Sequence, residues 1–123
     1  MRRVVVDALT VLSWFDASGA GQRREYEAGE LTAFAPRRIH ADLLAAVARR
    51  SDAGPEMLAR VAAELPRLGL QLQDPPLGLV AGWIARGLDA QLAPYAALAE
   101  HLDMRLETRD PVLRRRAGRL VRA

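Results

Sequence analysis

The sequence predicts an α/β protein, a three-layer α/β/α sandwich around a mostly parallel central sheet of four to five short strands. Short apolar or β-branched runs, such as Val4-Val5-Val6 and Leu31 to Ala35, alternate with longer stretches whose apolar residues recur at helical spacing. Strand-helix alternation of this kind builds crossovers, which lay neighbouring strands parallel and cover both sheet faces with helices. At 123 residues, 50% hydrophobic and 27% charged, the chain is one globular domain, residues 1–123. It contains no internal repeat, low-complexity segment or interdomain linker.

Arg3 to Val6 is the first strand, because successive β-branched residues favour extended backbone. Ala8 to Phe15 continues as an apolar helix, loosened at Ser18-Gly19-Ala20-Gly21. Gln22 to Ala28 is a short charged helix that Gly29 ends, and Leu31 to Ala35 is the second strand. Pro36 opens a long helix, about Arg38 to Arg50, with Ile39, Leu43, Ala46 and Val47 at helical spacing. Gly54-Pro55 starts the next, Glu56 to Leu65, with Leu58, Val61, Ala62 and Leu65 on one face. Gly69 ends it, and Leu70 to Leu72 is a short strand. Asp74-Pro75-Pro76 is a turn, followed by helices over Leu77 to Arg86 and Pro94 to Leu102. Met104 to Glu107 is a strand, Pro111 to Arg116 a final helical turn or two, and Leu120-Val121 an edge strand.

Composition removes several chemistries. With no cysteine, disulfides, thiolate metal ligands and cysteine nucleophiles are excluded. All 18 basic residues are Arg, so a Walker A lysine and a lysine Schiff base are excluded too. His40 and His101 are the only histidines and lack zinc-ligand spacing. No G-x-S-x-G elbow is present, and Gly19/Gly21 follow a helix rather than a strand. The basic, apolar start MRRVVVDALTVLSWF is interrupted by Asp7, which argues against a signal peptide, and no stretch reaches the ~18 apolar residues of a membrane span. A cytoplasmic protein without membrane contact is expected.

What remains is acidic. Asp7 stands at the C-terminal edge of the first strand, where open α/β sheets bind ligands. Asp110 follows the last predicted strand in Arg105-Leu106-Glu107-Thr108-Arg109-Asp110, and Asp42 opens the long apolar helix. Three acids on three elements are the material of a divalent-cation site. Each also has a plain structural role: Asp7 as a helix cap, Asp42 as a complement to a helix dipole, Asp110 as an N-cap with Pro111 at the first helical position. The net charge is only +3, but Arg109, Arg114, Arg115, Arg116, Arg119 and Arg122 crowd the C-terminal segment, with Asp110 their one acid. Such a segment suits phosphate contacts, or is a solvated helix face.

These residues also carry a likeness. Val-Val-Val-Asp7-Ala-Leu-Thr-Val-Leu, Pro36 through Arg50, and Tyr95 through Asp110 with its Thr108-x-Asp110 ending together resemble the PIN-domain ribonucleases, in particular the VapC-type toxins of bacterial toxin–antitoxin pairs. The resemblance runs nearly end to end and implies a PIN-like fold. It implies a metal-dependent endoribonuclease that hydrolyses RNA phosphodiesters at an acidic pocket. Asp7, Asp42 (in place of the family's usual Glu), Asp110 and Thr108 would be its catalytic residues. The three acids would hold Mg²⁺ or Mn²⁺, and Arg109, Arg114, Arg115 and Arg116 would bind RNA. A homodimer and a small antitoxin are the implied protein partners, with Trp14, Leu58 and Trp83 available for contacts.

The family places a further acid three residues before the Tyr of its penultimate helix; here that residue is Leu92. Asp42 in place of Glu also loses roughly 1.5 Å of reach. Asp89, one turn earlier, is the candidate substitute, although Pro94 places the helix start near Gln91 and leaves Asp89 in the preceding loop. The alternative is a catalytically degraded PIN-like protein acting as an RNA- or protein-binding, regulatory module.

Overall fold

The computed structural model describes residues 1–50 and 52–122. At its centre lies β1 (Arg2–Val6), whose Val4, Val5 and Val6 are all buried, as a strand covered on both faces must be. It pairs in parallel with β2 (Leu31–Ala35) on one side and with β4 (Arg105–Glu107) on the other. A short β3 (Gln71–Leu72) pairs in parallel with β2, giving the order β3-β2-β1-β4. The sheet is thus all-parallel with four strands, flanked by helices in an α/β/α sandwich.

Between β1 and β2 run α1 (Ala8–Ser13), a 3₁₀ turn (Ala17–Gly19) and α2 (Ala20–Glu27). Between β2 and β3 run α3 (Ile39–Ala48), α4 (Pro55–Glu64) and a second 3₁₀ turn (Leu65–Leu68). The return to β4 is made by α5 (Leu77–Ala85) and α6 (Ala93–Leu102), and α7 (Pro111–Arg116) and α8 (Gly118–Arg122) follow. Right-handed crossovers put the first four helices on one face and α5 and α6 on the other. Inside α6, Tyr95 through Leu98 and Ala99 are all buried. Its alanines let the helix lie close against β1 and β4.

The strand order reverses beside β1: the chain winds away through β2 and β3, then returns to β4 on the opposite edge. The segments leaving the C-terminal ends of β1 and β4 diverge, α1 packing on α3 and α8 on α6, which opens a crevice there.

Three local expectations change. The Ser18–Gly21 segment is helical instead of loose, because Gly19 lies so tightly on the Ser13 backbone that a Cβ there would collide with it. Leu120-Val121 is helix α8 and not a strand. The helical turn buries Val121 against the β4 and α6 side while Arg119 reaches Glu100 of α6 at 2.9 Å. Trp14 and Trp83 are buried core residues, so neither offers an exposed contact surface. The Trp14 ring sits 4.9 Å from that of Tyr26, and Arg86 and Arg119 cover Trp83. Leu58 is half-buried. Ala123, the last residue of the basic segment, lies outside the described residues. Among the described residues no helix is long and apolar enough to cross a membrane.

Leu106 is fully buried in β4 beneath α6 and α8. Leu106→Ala is expected to cost about 3 kcal/mol of unfolding free energy with an unchanged urea m-value, measured by urea denaturation. A loss well under about 1 kcal/mol would mean that the β4 side is not part of the cooperative core.

Candidate active site

Asp7 leaves β1 in extended backbone (φ −104°, ψ 177°) and caps α1, its Oδ1 accepting the Thr10 N–H at 2.9 Å. The β1–β4 register pairs Val6 with Glu107, so the residues that follow each strand stand side by side. The Thr108 hydroxyl accordingly donates to Asp7 Oδ2, and both residues are buried. The same hydroxyl oxygen accepts the Asp110 N–H at 2.9 Å, so Thr108 links the two acids. Asp110 caps α7 through Oδ1, which accepts from the Val112 and Leu113 N–H groups at 2.8 and 3.2 Å, with Pro111 at the first helical position. Its Oδ2 has no hydrogen-bond partner among the described residues.

Asp42 comes from the first turn of α3. Arg38 holds it through Nε at 2.9 Å and Nη2 at 3.4 Å, and the Tyr95 hydroxyl donates to Asp42 Oδ2 at 2.6 Å. Arg38 Nη1 also reaches the Ala90 carbonyl at 3.4 Å, which fixes the guanidinium between α3 and the loop before α6. Burial raises the Tyr95 hydroxyl above the ordinary phenol range and its bond to Asp42 adds to this, so it stays a proton donor. Burial likewise raises the Asp7 carboxyl; the Thr108 and Thr10 hydrogen bonds pull it down, and the charge of Asp110 pushes it up again.

Asp7, Asp42 and Asp110 line one pocket of about 160 Å³, together with Leu92, Tyr95 and Arg49. It opens at the crevice that the strand order creates. A larger cavity of about 650 Å³, lined by Trp14, Tyr26 and Leu68 among others, lies elsewhere; its Arg23 is already bound to Glu27 at 2.6 Å. We place the candidate site in the smaller pocket, because acids from three separate elements converge only there. Its volume lies below the roughly 300 Å³ at which pockets for whole small molecules begin, so it suits a single functional group.

No family model matches the chain, and no curated protein matches it. Its fold has a solved counterpart. The chain is similar to the crystal structure of PAE2754 from Pyrobaculum aerophilum, with a TM-score of 0.68 and 23% identity over 99% of this chain and 97% of that one. At that identity the likeness speaks for the fold, from end to end.

The expected arginines lie outside the lining of the acidic pocket. Asp89 is exposed in the loop before α6 and does not line the pocket, while Leu92 does, beside Tyr95. Arg109 is bound to the Ser18 hydroxyl and carbonyl at 3.0 and 2.8 Å, and Arg114 to the Thr108 carbonyl at 3.2 Å. Arg116 reaches toward Gly87, and Arg115 is exposed. Arg109 and Arg114 line a further pocket together with Thr108 and Glu107, and Arg115 and Arg116 do not line it. His40 and His101 stay outside the pocket lining.

The donor set decides what cation fits. Among the described residues no three His, Cys, Asp or Glu side chains stand in metal-holding proximity. Both Asp42 oxygens are engaged by Arg38 and Tyr95, and both Asp7 oxygens by Thr10 and Thr108. Asp7 and Asp110 are hard oxygen donors on one pocket, which fits a single Mg²⁺-like ion held by one or two carboxylates and water. It does not fit two ions. Sequence reasoning missed the Arg38–Asp42–Tyr95 cluster, although Arg38 and Asp42 stand four residues apart, a helical ion-pair spacing. It also missed Arg49 and Gln91 on the pocket wall.

Because the folded Asp7 carboxyl is raised above its unfolded value, the folded chain binds more protons between those two values. Its contribution to stability therefore falls as pH rises through that window. Asp7→Asn removes this dependence. As pH rises above the ordinary carboxylate range, the natural protein is expected to lose stability relative to Asp7→Asn in parallel urea titrations. A difference that stays constant as pH rises would show that Asp7 does not titrate abnormally.

Proposed function

We propose that the protein is a PIN-type, VapC-like ribonuclease with a reduced acidic centre. The observation that carries this reading is the convergence of Asp7, Asp42 and Asp110 on one pocket at the C-terminal ends of β1 and β4. Asp7 and Asp110 would hold one Mg²⁺ or Mn²⁺, and Asp42 would join them when Arg38 releases it. The bound ion supplies positive charge at the phosphate and lowers the pKa of a water. The chain supplies orientation. Thr10 and Thr108 fix the Asp7 carboxylate, the α7 backbone amides fix Asp110, and Tyr95 aims Asp42. Leu9, Leu92 and the alanines of α3 restrict water around the acids. RNA is the proposed substrate class, with a small antitoxin and a second copy of the chain as protein partners and the cytoplasm as the compartment.

A second reading is favoured by two particular contacts. Arg38 occupies Asp42, and Leu92 stands on the pocket wall where the resembled family has an acid. Both lower the negative charge available to a cation, which supports a catalytically degraded binding module.

Cation binding separates from turnover experimentally. Millimolar Mn²⁺ is expected to raise the melting temperature of the natural protein, and Asp7→Asn or Asp110→Asn to abolish the rise. Arg38→Gln is expected to lower the Mn²⁺ concentration needed, because it frees a third carboxylate. No Mn²⁺ shift in the natural protein or in Arg38→Gln would reject the metal site.

For turnover, Mn²⁺-dependent cleavage of structured RNA by the natural protein, lost in Asp7→Asn, is the expected result. Leu92→Asp is expected to raise the rate at least tenfold by adding a ligand to the pocket. Activity in Leu92→Asp alone would establish the degraded-module reading. Silence of all variants despite native folding would reject the ribonuclease altogether.

A further inference from the structure

The acidic pocket has one wall of opposite charge. Asp42, Ala45 and Ala46 of α3 and its C-cap residue Arg49 stand at i, i+3, i+4 and i+7, which is one face of a helix, and all four line the pocket. Asp42 and Arg49 are then about 10 Å apart along the axis, with only two methyl groups between them. That spacing keeps Arg49 from neutralising Asp42 and leaves an open floor between an anionic and a cationic end. The neighbouring arginines are committed: Arg38 to Asp42, and Arg50 to Asp52 at 3.3 Å. Arg49 is exposed and has no side-chain partner among the described residues. It is the one cationic side chain on this wall.

We propose that Arg49 is the substrate-phosphate clamp of the pocket: it grips the non-bridging oxygens of one RNA phosphodiester laid over Ala45 and Ala46. This deepens the ribonuclease reading and rests on it. A guanidinium suits the task, because its planar fork meets two phosphate oxygens at once. As the C-cap of α3, with its N–H bonded to the Ala45 carbonyl at 3.2 Å, its backbone has a fixed place relative to Asp42. The pocket's small volume admits a phosphate group and excludes a nucleobase-sized recognition pocket, so the contact carries position and no sequence preference. Across the opening, Gln91 adds a neutral donor. The ordinary role for such a residue, complementing the negative end of the α3 dipole, would affect melting and leave RNA binding untouched.

The test is equilibrium binding of fluorescent single-stranded RNA by anisotropy, with Ca²⁺ present to neutralise the acids, over a series of NaCl concentrations. The natural chain, Arg49→Gln, Arg49→Lys and Arg24→Gln are compared, each checked for folding by circular dichroism; Arg24 is an exposed arginine on α2, away from the pocket. Arg49→Gln is expected to weaken binding about tenfold, equally for oligo-A and oligo-U, and to reduce the salt slope by about 0.7. Arg49→Lys should recover part of the loss, and Arg24→Gln should match the natural chain. Unchanged affinity and slope in Arg49→Gln, or an equal loss in Arg24→Gln, would overturn the clamp while leaving the ribonuclease reading intact. Absence of RNA binding by the natural chain would overturn both, and the Mn²⁺ melting shift would then show whether the metal site survives alone.

Discussion

The buried bond between the Asp7 carboxylate and the Thr108 hydroxyl is the constraint on which the rest of the site depends. It joins the ends of two adjacent parallel strands that are about a hundred residues apart in sequence. A carboxylate 3% exposed is costly unless it is satisfied, and here a backbone amide and a hydroxyl both donate to it. Thr108 in turn receives the Asp110 amide, so the position of the second acid follows from that of the first. The strand order adds the space. The helices that follow β1 and β4 pack toward different neighbours, α1 on α3 and α8 on α6, which leaves a crevice between the strand ends.

Structural and chemical roles coincide at these acids. Asp7 and Asp110 are both helix caps, which orients one oxygen of each through backbone amides. Capping uses few of the lone pairs a carboxylate has, and Asp110 keeps one oxygen without a partner among the described residues. Asp42 differs, because its partners are side chains. Arg38 and Tyr95 hold both of its oxygens in a half-buried ion pair. A guanidinium can leave by rotating its own side chain, whereas the capping amides are fixed in their helices. The pocket therefore has two committed acids and one whose availability depends on a side-chain equilibrium. Leu92, at the N-terminal end of α6, adds apolar surface to the remaining wall.

Much of this was legible in the linear sequence. Val4-Val5-Val6 reads as a strand from its β-branched run, and Pro55, Pro94 and Pro111 mark helix starts through their missing N–H groups. The same argument from Pro94 kept Asp89 in a loop, where it lies. The failures were at places where contact from afar overrides local preference. Gly19 reads as a breaker, yet it is helical because its lack of a side chain admits Ser13. Val121 reads as a strand former, yet burial against β4 and α6 makes it helical. Trp14 and Trp83 look available for partners until the fold encloses them.

The sequence by itself determined the fold class, the order of the elements as far as α7 and the positions of three acids near element ends. Hydrophobic period, β-branching, proline and caps are all local signals, spaced within a few residues of what they specify. Only the tertiary structure decided which side chains those acids meet. Asp7 finds Thr108 through strand register, Asp42 finds Tyr95 across two helices, and Arg49 comes to the pocket wall because α3 lies beside β1's crevice. Such pairings depend on distances between residues tens of positions apart, which are fixed when helices and strands close around one core and are not written in any local window.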